Sequence, residues 1–169
     1  MTIRSDSELM HLTVHIASQE MVLHEKSGRR RCYSISTASK GTGQFEGSWQ
    51  TPLGLHVIRA KIGGGLPINS VFSSRRFTGE IYSPELRDQY PGRKDWILTR
   101  ILWLSGMEPG FNRLGNVDTM RRYIYIHGSP DTAVMGEPGS RGCIRMHGSD
   151  IIDLYDRIEA GTKIDIQLT

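Results

Sequence analysis

Short segments in which apolar and polar residues alternate recur along the whole chain, and they constrain its fold more than any other feature. Leu12, Val14 and Ile16 alternate with polar residues at positions 11, 13 and 15, which is the period of a half-buried strand. Segment 96–104 is mostly apolar, which predicts a central strand buried on both faces. Further strands are predicted over 21–25, 32–37, 55–58, 123–126 and 164–168.

One segment follows the helical period instead, because its apolar residues are spaced i, i+3, i+4 and i+7: Ile151, Leu154, Tyr155 and Ile158. Ser149 or Asp150 is expected to cap the start of this helix, and Gly161 to end it in a left-handed conformation. The 19 glycines favour turns, so a strand-rich fold with one clear helix is expected rather than a helical bundle.

The size and charge of the chain restrict its partners. At 169 residues, a single domain over 1–169 is expected. The net charge is +3, and arginines adjoin one another at 29–31, 75–76 and 121–122. No stripe of basic and aromatic residues accompanies them, so these arginines are interpreted as solvated and no nucleic-acid partner is expected. A mildly basic surface favours an anionic substrate, such as a peptide carboxylate.

The start of the sequence and its cysteines predict a cytoplasmic protein. Met1 is followed by polar residues without an apolar signal region, and no apolar run approaches the roughly 18 residues of a membrane span. No membrane partner is therefore expected. Cys32 and Cys143 are expected to be free thiols, which suits a reducing compartment. The oligomeric state is left open by the sequence.

Segment 127–146 carries the chemical signal. It begins with His127, which follows the predicted strand 123–126 and is therefore expected at a strand end. Four glycines and two prolines separate it from Cys143, and this composition predicts a loop that returns Cys143 to face His127. A thiol and an imidazole are what a cysteine nucleophile requires, since the thiolate attacks and the imidazole takes its proton.

His127-Gly128-Ser129, followed after a gap by residues 140–146 (Ser-Arg-Gly-Cys-Ile-Arg-Met), resembles the catalytic motif of the L,D-transpeptidase catalytic-domain family. Segments 50–54, 101–106 and 161–162 are similar too, and the resemblance extends over roughly 12–168. It implies a mainly β, sandwich-like catalytic domain with a small helical element near the C terminus. It also implies acyl transfer from peptidoglycan stem peptides or muropeptides.

Within the motif, Cys143 is predicted to be the nucleophile and His127 the general base and later proton donor. The family resemblance implies that the backbone carbonyl of Gly128 orients the imidazole. The backbone N–H groups of Gly142 and Cys143 are the candidate donors to an oxyanion, and Gly142 permits a tight turn there.

Four other side chains of the motif receive less direct roles. Arg145 is expected on the same side as Cys143, where the family resemblance makes it a clamp for the substrate's terminal carboxylate or an anchor for the loop. The alternative for Arg145 is a structural salt bridge. Ser140 and Arg141 are expected to support the loop and line the pocket. Met146 is expected to pack in the interior.

No metal or cofactor is predicted. His147 follows Cys143 by four residues, but one cysteine and one histidine do not make the four-ligand set of structural zinc. Cys32 lies on a predicted strand and is interpreted as a small core residue rather than a reactive one. Segment 66–95 is polar and interrupted by prolines, so it is either an insert or lid beside the groove or a plain surface excursion.

The family resemblance implies that the thiolate attacks the bond before a terminal D-alanine, leaving a thioester on Cys143. Water would then give an L,D-carboxypeptidase, and an amine from a second stem would give a cross-linking transpeptidase. Because a cytoplasmic location is expected, a carboxypeptidase acting on tetrapeptides during muropeptide recycling is favoured. The alternatives are the transpeptidase and a non-catalytic muropeptide-binding module. If a Cys143–His127 ion pair is the active form, activity is expected to fall at acid pH.

Overall fold

The computed structural model describes residues 9–169, which form ten strands, two α-helices and a short 3-10 helix at Gly115–Val117. The elements in chain order are β1 His11–His15, β2 Glu20–His24, β3 Arg30–Ser36, β4 Gly54–Ile62, β5 Ser70–Ser73, β6 Arg76–Ile81, α1 Pro84–Gln89, β7 Ile97–Gly106, β8 Tyr125–Ser129, β9 Ile144–His147, α2 Gly148–Arg157 and β10 Lys163–Gln167. The predicted mainly β class is confirmed.

Eight of the strands close on themselves in the order β4-β10-β1-β2-β3-β9-β8-β7, because β4 pairs with both β10 and β7. The β5–β6 hairpin extends the sheet beyond the first residues of β7. The predicted sandwich-like arrangement is therefore wrong, and the sheet is a barrel-like closed one. Residues His56 and Val57 of β4 pair with both neighbours, and β4 continues past the predicted 55–58 to Ile62 through an irregularity between Ile58 and Ala60. Closure leaves no open edge on these strands.

The interior of the closed sheet is filled by one apolar cluster. Alternate residues of each strand point inward, such as Leu12 and Val14 of β1, and both are completely buried. Helix α2 contributes its apolar residues to the same cluster, including Ile151 and Leu154. Met146 is part of it too, as expected. This packing holds strands β8 and β9 in place on the side that faces the interior.

Three local predictions differ from the structure. Helix α2 begins directly after β9, so its N-cap is His147 without a side-chain hydrogen bond, and Ser149 and Asp150 lie inside the helix. The helix ends at Arg157, and Gly161, at φ +93°, shapes the later turn into β10 instead. Cys32 is an exposed free thiol and not a core residue, because β3 turns its neighbours inward.

Segment 66–95 forms regular secondary structure and packs against the body of the protein. It contains the β5–β6 hairpin and α1, a second helix that was not predicted, whose N-cap Ser83 accepts a hydrogen bond from Leu86 N–H at 3.1 Å. Val71 and Phe72 of β5 are buried against the body of the protein. In residues 9–169, no helix is long and apolar enough to cross a membrane.

Candidate active site

The loop after β8 returns the chain so that β9 pairs in parallel with β8, with Ile126 opposite Ile144 and His127 opposite Arg145. Ile126 and Ile144 point into the apolar cluster, so their neighbours in each strand face the other side of the sheet. Cys143, just before β9, and His127 are therefore brought to the same face, as predicted. His127 is the middle residue of β8, however, and not at a strand end.

The His127 imidazole has one ring nitrogen bonded and one without a partner. Its Nδ1 lies 2.7 Å from the carbonyl oxygen of Gly128, at the position that the resemblance implied. Because a carbonyl only accepts, Nδ1 carries the hydrogen and the neutral ring keeps its lone pair on Nε2. The side chain is completely buried, and Nε2 has no hydrogen-bond partner among residues 9–169. Unsatisfied buried nitrogens of this kind are typical of functional groups.

Gly128 is required by the close approach of its neighbours rather than by its φ. A Cβ at this position would lie 2.6 Å from the carbonyl oxygen of Leu98 and 3.1 Å from Cγ2 of Ile151. The backbone of β8 is thus pressed against β7 and α2 at the residue that holds the imidazole. This contact fixes the carbonyl toward Nδ1.

The Cys143 thiol is held by two backbone groups. Its Sγ accepts a hydrogen bond from Tyr125 N–H at 3.3 Å and donates to the Tyr123 carbonyl at 3.5 Å. Burial raises the pKa of Cys143 to about 12, against the opposing effects of the Tyr125 N–H and of nearby arginines. Burial also lowers the pKa of His127. Both shifts favour the neutral thiol and the neutral imidazole over the expected ion pair.

The Cys143 turn is braced from two sides. Gly142 adopts φ +132°, a conformation that side chains rarely adopt, and its carbonyl accepts a hydrogen bond from the buried Thr51 hydroxyl at 2.9 Å. The Ser140 hydroxyl donates to the Cys143 carbonyl at 2.5 Å and accepts from Gly142 N–H at 3.2 Å. Ser140 thus supports the loop, as expected. The N–H of Gly142 is already engaged, so of the predicted pair the Cys143 N–H stays the candidate oxyanion donor.

Arg145 is on the predicted face but is not free to act as a clamp. Its guanidinium forms an ion pair with Asp95 at 2.7 Å and donates to the Gly139 carbonyl at 3.0 Å. The structure therefore shows Arg145 both as the anchor for the loop, through Gly139, and in the structural salt bridge of the alternative interpretation. That bridge joins the end of segment 66–95 to β9. Asp95 also raises the pKa of both His127 and Cys143, although burial has the larger effect on each.

Two clefts flank the site. One of about 580 Å³ lies between the segment around α1 and the end of β8, and its walls include Arg93, Trp96, Ser129 and Arg145. The other, of about 250 Å³, is lined by Ser39, Lys40, Trp49, Ser140 and Arg141. Arg141 is exposed and lies 5.8 Å from the Trp49 ring centroid, so it forms part of a wall as expected. Residues 9–169 contain no group of three or more side chains that could hold a metal.

Sequence reasoning did not identify four contributors to the site. The N–H of Tyr125 and the carbonyl of Tyr123 bind the sulfur, and Tyr123 has a positive φ of 57° that is unusual for a bulky residue. Thr51 belongs to a motif that carried the family resemblance, so a signal for it was present without a role. Asp95 lies in a polar segment, and no pattern in the sequence indicates that it reaches Arg145.

Comparison with known proteins identifies the family. The family model described as YkuD, the L,D-transpeptidase catalytic domain, matches residues 10–166. Two Bacillus proteins called YkuD, L,D-transpeptidases by name, match over 46 residues. The one from Bacillus subtilis is 39% identical there and the one from Bacillus licheniformis 37%, and the match covers 27% of this chain and 28% of each relative.

Solved structures agree in fold. An L,D-transpeptidase from Mycobacterium smegmatis superposes with a TM-score of 0.55 at 18% identity, covering 94% of this chain and 58% of that one. L,D-transpeptidase 3 from Mycobacterium tuberculosis superposes with a TM-score of 0.58 at 14% identity, covering 94% and 60%. The chain thus spans less than two thirds of these proteins. Since the family model matches nearly its whole length, the chain belongs to the YkuD family of L,D-transpeptidase catalytic domains.

Proposed function

We propose that this chain is a cysteine-dependent L,D-carboxypeptidase that removes the terminal D-alanine from peptidoglycan tetrapeptides. The observation that carries the proposal is the hydrogen bond between His127 Nδ1 and the Gly128 carbonyl. It presents an imidazole lone pair at Nε2 on the sheet face that also carries Cys143. A nitrogen in this state can accept a proton, as a general base must.

The proposed reaction begins with neutral partners. His127 Nε2 takes the thiol proton while Cys143 Sγ attacks the peptide carbonyl, and the Cys143 N–H donates to the oxyanion that forms. When the intermediate collapses, the imidazolium returns its proton to the leaving amine of D-alanine, and the tripeptide remains as a thioester. Water then attacks the thioester, with Nε2 as base, and the tripeptide carboxylate and the thiol are released.

Water is the proposed acceptor because the pair of side chains is enclosed. His127 is completely buried and Cys143 is only partly exposed. A water molecule reaches such a site more readily than the amine of a second stem peptide. We propose further that the protein acts in the cytoplasm on released muropeptides. The exposed free thiol of Cys32 supports this location, because such a thiol stays reduced most readily in a reducing compartment.

Cross-linking is the second candidate, and a specific observation favours it. The matched family model and the similar solved structures are named for L,D-transpeptidases. In that reaction, an amine replaces water in the second half. The first half-reaction and its residues are the same.

Incubation of a disaccharide-tetrapeptide with the protein, followed by mass spectrometry, separates the candidates. Loss of one D-alanine without dimer is the expected result, and dimer formation would favour the transpeptidase. The Cys143→Ala variant is expected to produce no tripeptide, whereas Cys32→Ala, which removes the other thiol, is expected to match wild type. Equal tripeptide yield from Cys143→Ala and wild type would reject the enzyme and leave the muropeptide-binding module.

A further inference from the structure

Arg75 lies at the tip of the β5–β6 hairpin, and its guanidinium is held by aromatic groups. Its Nη1 donates to the Tyr125 hydroxyl at 2.9 Å. Its Cζ lies 4.7 Å from the ring centroid of Tyr123 and 4.9 Å from that of Trp103. Arginine prefers such aromatic faces, and its planar fork keeps the other N–H groups directed outward. The side chain is therefore fixed in place while most of its donors remain available.

The hairpin tip adopts a costly conformation to present this arginine. Ser74 and Arg75 form the two-residue connection between Ser73 and Arg76, which pair across the hairpin. Both have positive φ, 47° and 64°, in a turn type that favours asparagine and glycine. Two larger residues in this conformation persist only where surrounding contacts hold them, and such strain is concentrated at functional sites. The contacts here are those of the Arg75 guanidinium.

Tyr125 connects Arg75 to the sulfur. The backbone N–H of Tyr125 binds Cys143 Sγ at 3.3 Å, and its hydroxyl binds Arg75. Guanidinium and sulfur thus bind the same residue, the sulfur at its backbone and the guanidinium at its hydroxyl. Cys143 also packs against the apolar cluster that contains Phe72 of β5, so the hairpin and the thiol border the same cluster.

Arg75 differs from the other arginines near the sulfur in what it already binds. Arg145 is paired with Asp95. Arg122 is mostly buried and donates to the carbonyls of Gly43, Gln44 and Gln50 and to the Ser48 hydroxyl. Arg75 bonds only to a neutral phenol, and within residues 9–169 it forms no salt bridge. A carboxylate can bind Arg75 without displacing another acid.

We infer that Arg75 binds the C-terminal carboxylate of the stem peptide and so determines specificity for the residue that leaves. This inference deepens the proposed function and rests on it. The leaving residue's carboxylate lies one residue beyond the scissile carbonyl, and one residue spans about 3.8 Å. We therefore place the scissile carbonyl at the sulfur and the carboxylate, one residue further on, toward the guanidinium at the other end of Tyr125. The fork geometry of arginine suits bidentate binding of this carboxylate.

The test compares two substrates, a tetrapeptide with a free C-terminal carboxylate and the same peptide with a C-terminal amide. For Arg75→Ala, kcat/KM on the free acid is expected to fall about 10- to 100-fold, mainly through KM, because a charged hydrogen-bond partner is lost. On the amide, the variant and wild type are expected to agree within about twofold. Arg76→Ala is the matched control, since Arg76 is the adjacent, exposed arginine of the same hairpin.

Equal losses on both substrates would overturn the inference, because they would indicate a structural role for the hairpin. No loss on either substrate would overturn it as well. Arg75→Gln keeps much of the side chain's bulk, so it must show the same preference if Arg75→Ala fails to fold. Wild type itself is expected to prefer the acid to the amide by the factor that Arg75→Ala loses.

Binding separates this inference from the proposed function. Calorimetric titration of Cys143→Ala with the free-acid tetrapeptide requires no turnover. Tenfold or greater weakening on adding Arg75→Ala, with no weakening for the amide, supports the carboxylate site even if wild type releases no D-alanine. If wild type releases D-alanine but Arg75→Ala weakens neither titration, the proposed function stands and the inference fails.

Discussion

The two walls around Cys143 are built in different ways. On the sheet side, backbone groups do the positioning: the Gly128 carbonyl holds His127, and the Tyr125 N–H holds the sulfur. On the side of segment 66–95, side chains do it, through Asp95 on Arg145 and Arg75 on Tyr125. Backbone positions follow from strand register and change little, whereas side-chain contacts can be exchanged for substrate. We therefore propose that the first wall carries the chemistry and that the second selects the substrate.

The largest effect on stability and activity is expected from a substitution in the sheet wall, at Gly128. In Gly128→Ala, the new Cβ would meet the Leu98 carbonyl at 2.6 Å, and that oxygen belongs to a paired strand that cannot move away freely. We expect the free energy of unfolding to fall by about 3 kcal/mol. We also expect kcat to fall about 100-fold in the molecules that fold, because the carbonyl that orients His127 is displaced. Urea unfolding and D-alanine release measure the two effects.

Gly92→Ala is the control for that substitution. Gly92 lies in segment 66–95, has no neighbouring atom within 4 Å of an added Cβ, and does not have a positive φ. It is expected to change the free energy of unfolding by less than about 0.5 kcal/mol. If Gly128→Ala behaved like Gly92→Ala, the rigidity assigned to the sheet wall would be wrong.

The difference between backbone positioning and side-chain contacts also explains how much of each wall the sequence predicts. The β-branched and aromatic residues at 123–126 predicted a strand here, although it runs over Tyr125–Ser129 and includes His127, and the motif singled out Cys143, because both depend on local pattern. Closure of the sheet was missed since it depends on pairing of β4 with two strands far away in the chain, β10 and β7, which no local pattern indicates. Asp95 and Arg75 were not predicted as site residues because each acts through contacts with residues about 50 positions away.

The pH dependence of stability tests the sheet scaffold through His56 of β4. This side chain is completely buried, between the Gly54 carbonyl and the Thr119 hydroxyl, and burial lowers its pKa to about 4. The unfolded state, with a pKa near 6.5, binds the proton first on acidification. The stabilisation from neutral His56 is therefore fully present above about pH 6.5 and is lost as pH falls through 4.

The size of this effect is on the order of 3 kcal/mol from His56 alone, measured as the free energy of unfolding in urea at each pH. His56→Gln is expected to be less stable at pH 8 and to show a shallower decline between pH 6.5 and 4. His127, whose pKa burial also lowers, contributes to the decline that remains. If the free energy of unfolding declined with falling pH as steeply in His56→Gln as in wild type, β4 would have to open locally before the His56 imidazole titrates.

The smallest effect on activity is expected from substitution of Asp95, the residue of segment 66–95 that pairs with Arg145 of β9. Its charge raises the pKa of His127 against the larger lowering by burial, and Arg145 lowers it. Asp95→Asn removes the negative charge and leaves the Arg145 charge uncompensated, so both changes lower the pKa of His127. Because the proposed base must be neutral, the acid limb of kcat/KM is expected to move to lower pH, with less than about a tenfold change at any pH.

Asp88→Asn is the matched control, since Asp88 is an exposed acid of the same segment, paired with Arg87. The acid limb of this variant is expected to coincide with that of wild type. A shift of the Asp95→Asn limb to higher pH would contradict the assignment of that limb to His127, because removal of the negative charge lowers the pKa of the imidazole. A shift to lower pH without loss of carboxylate preference would place the two functions of the second wall on separate residues, charge balance on Asp95 and substrate selection on Arg75.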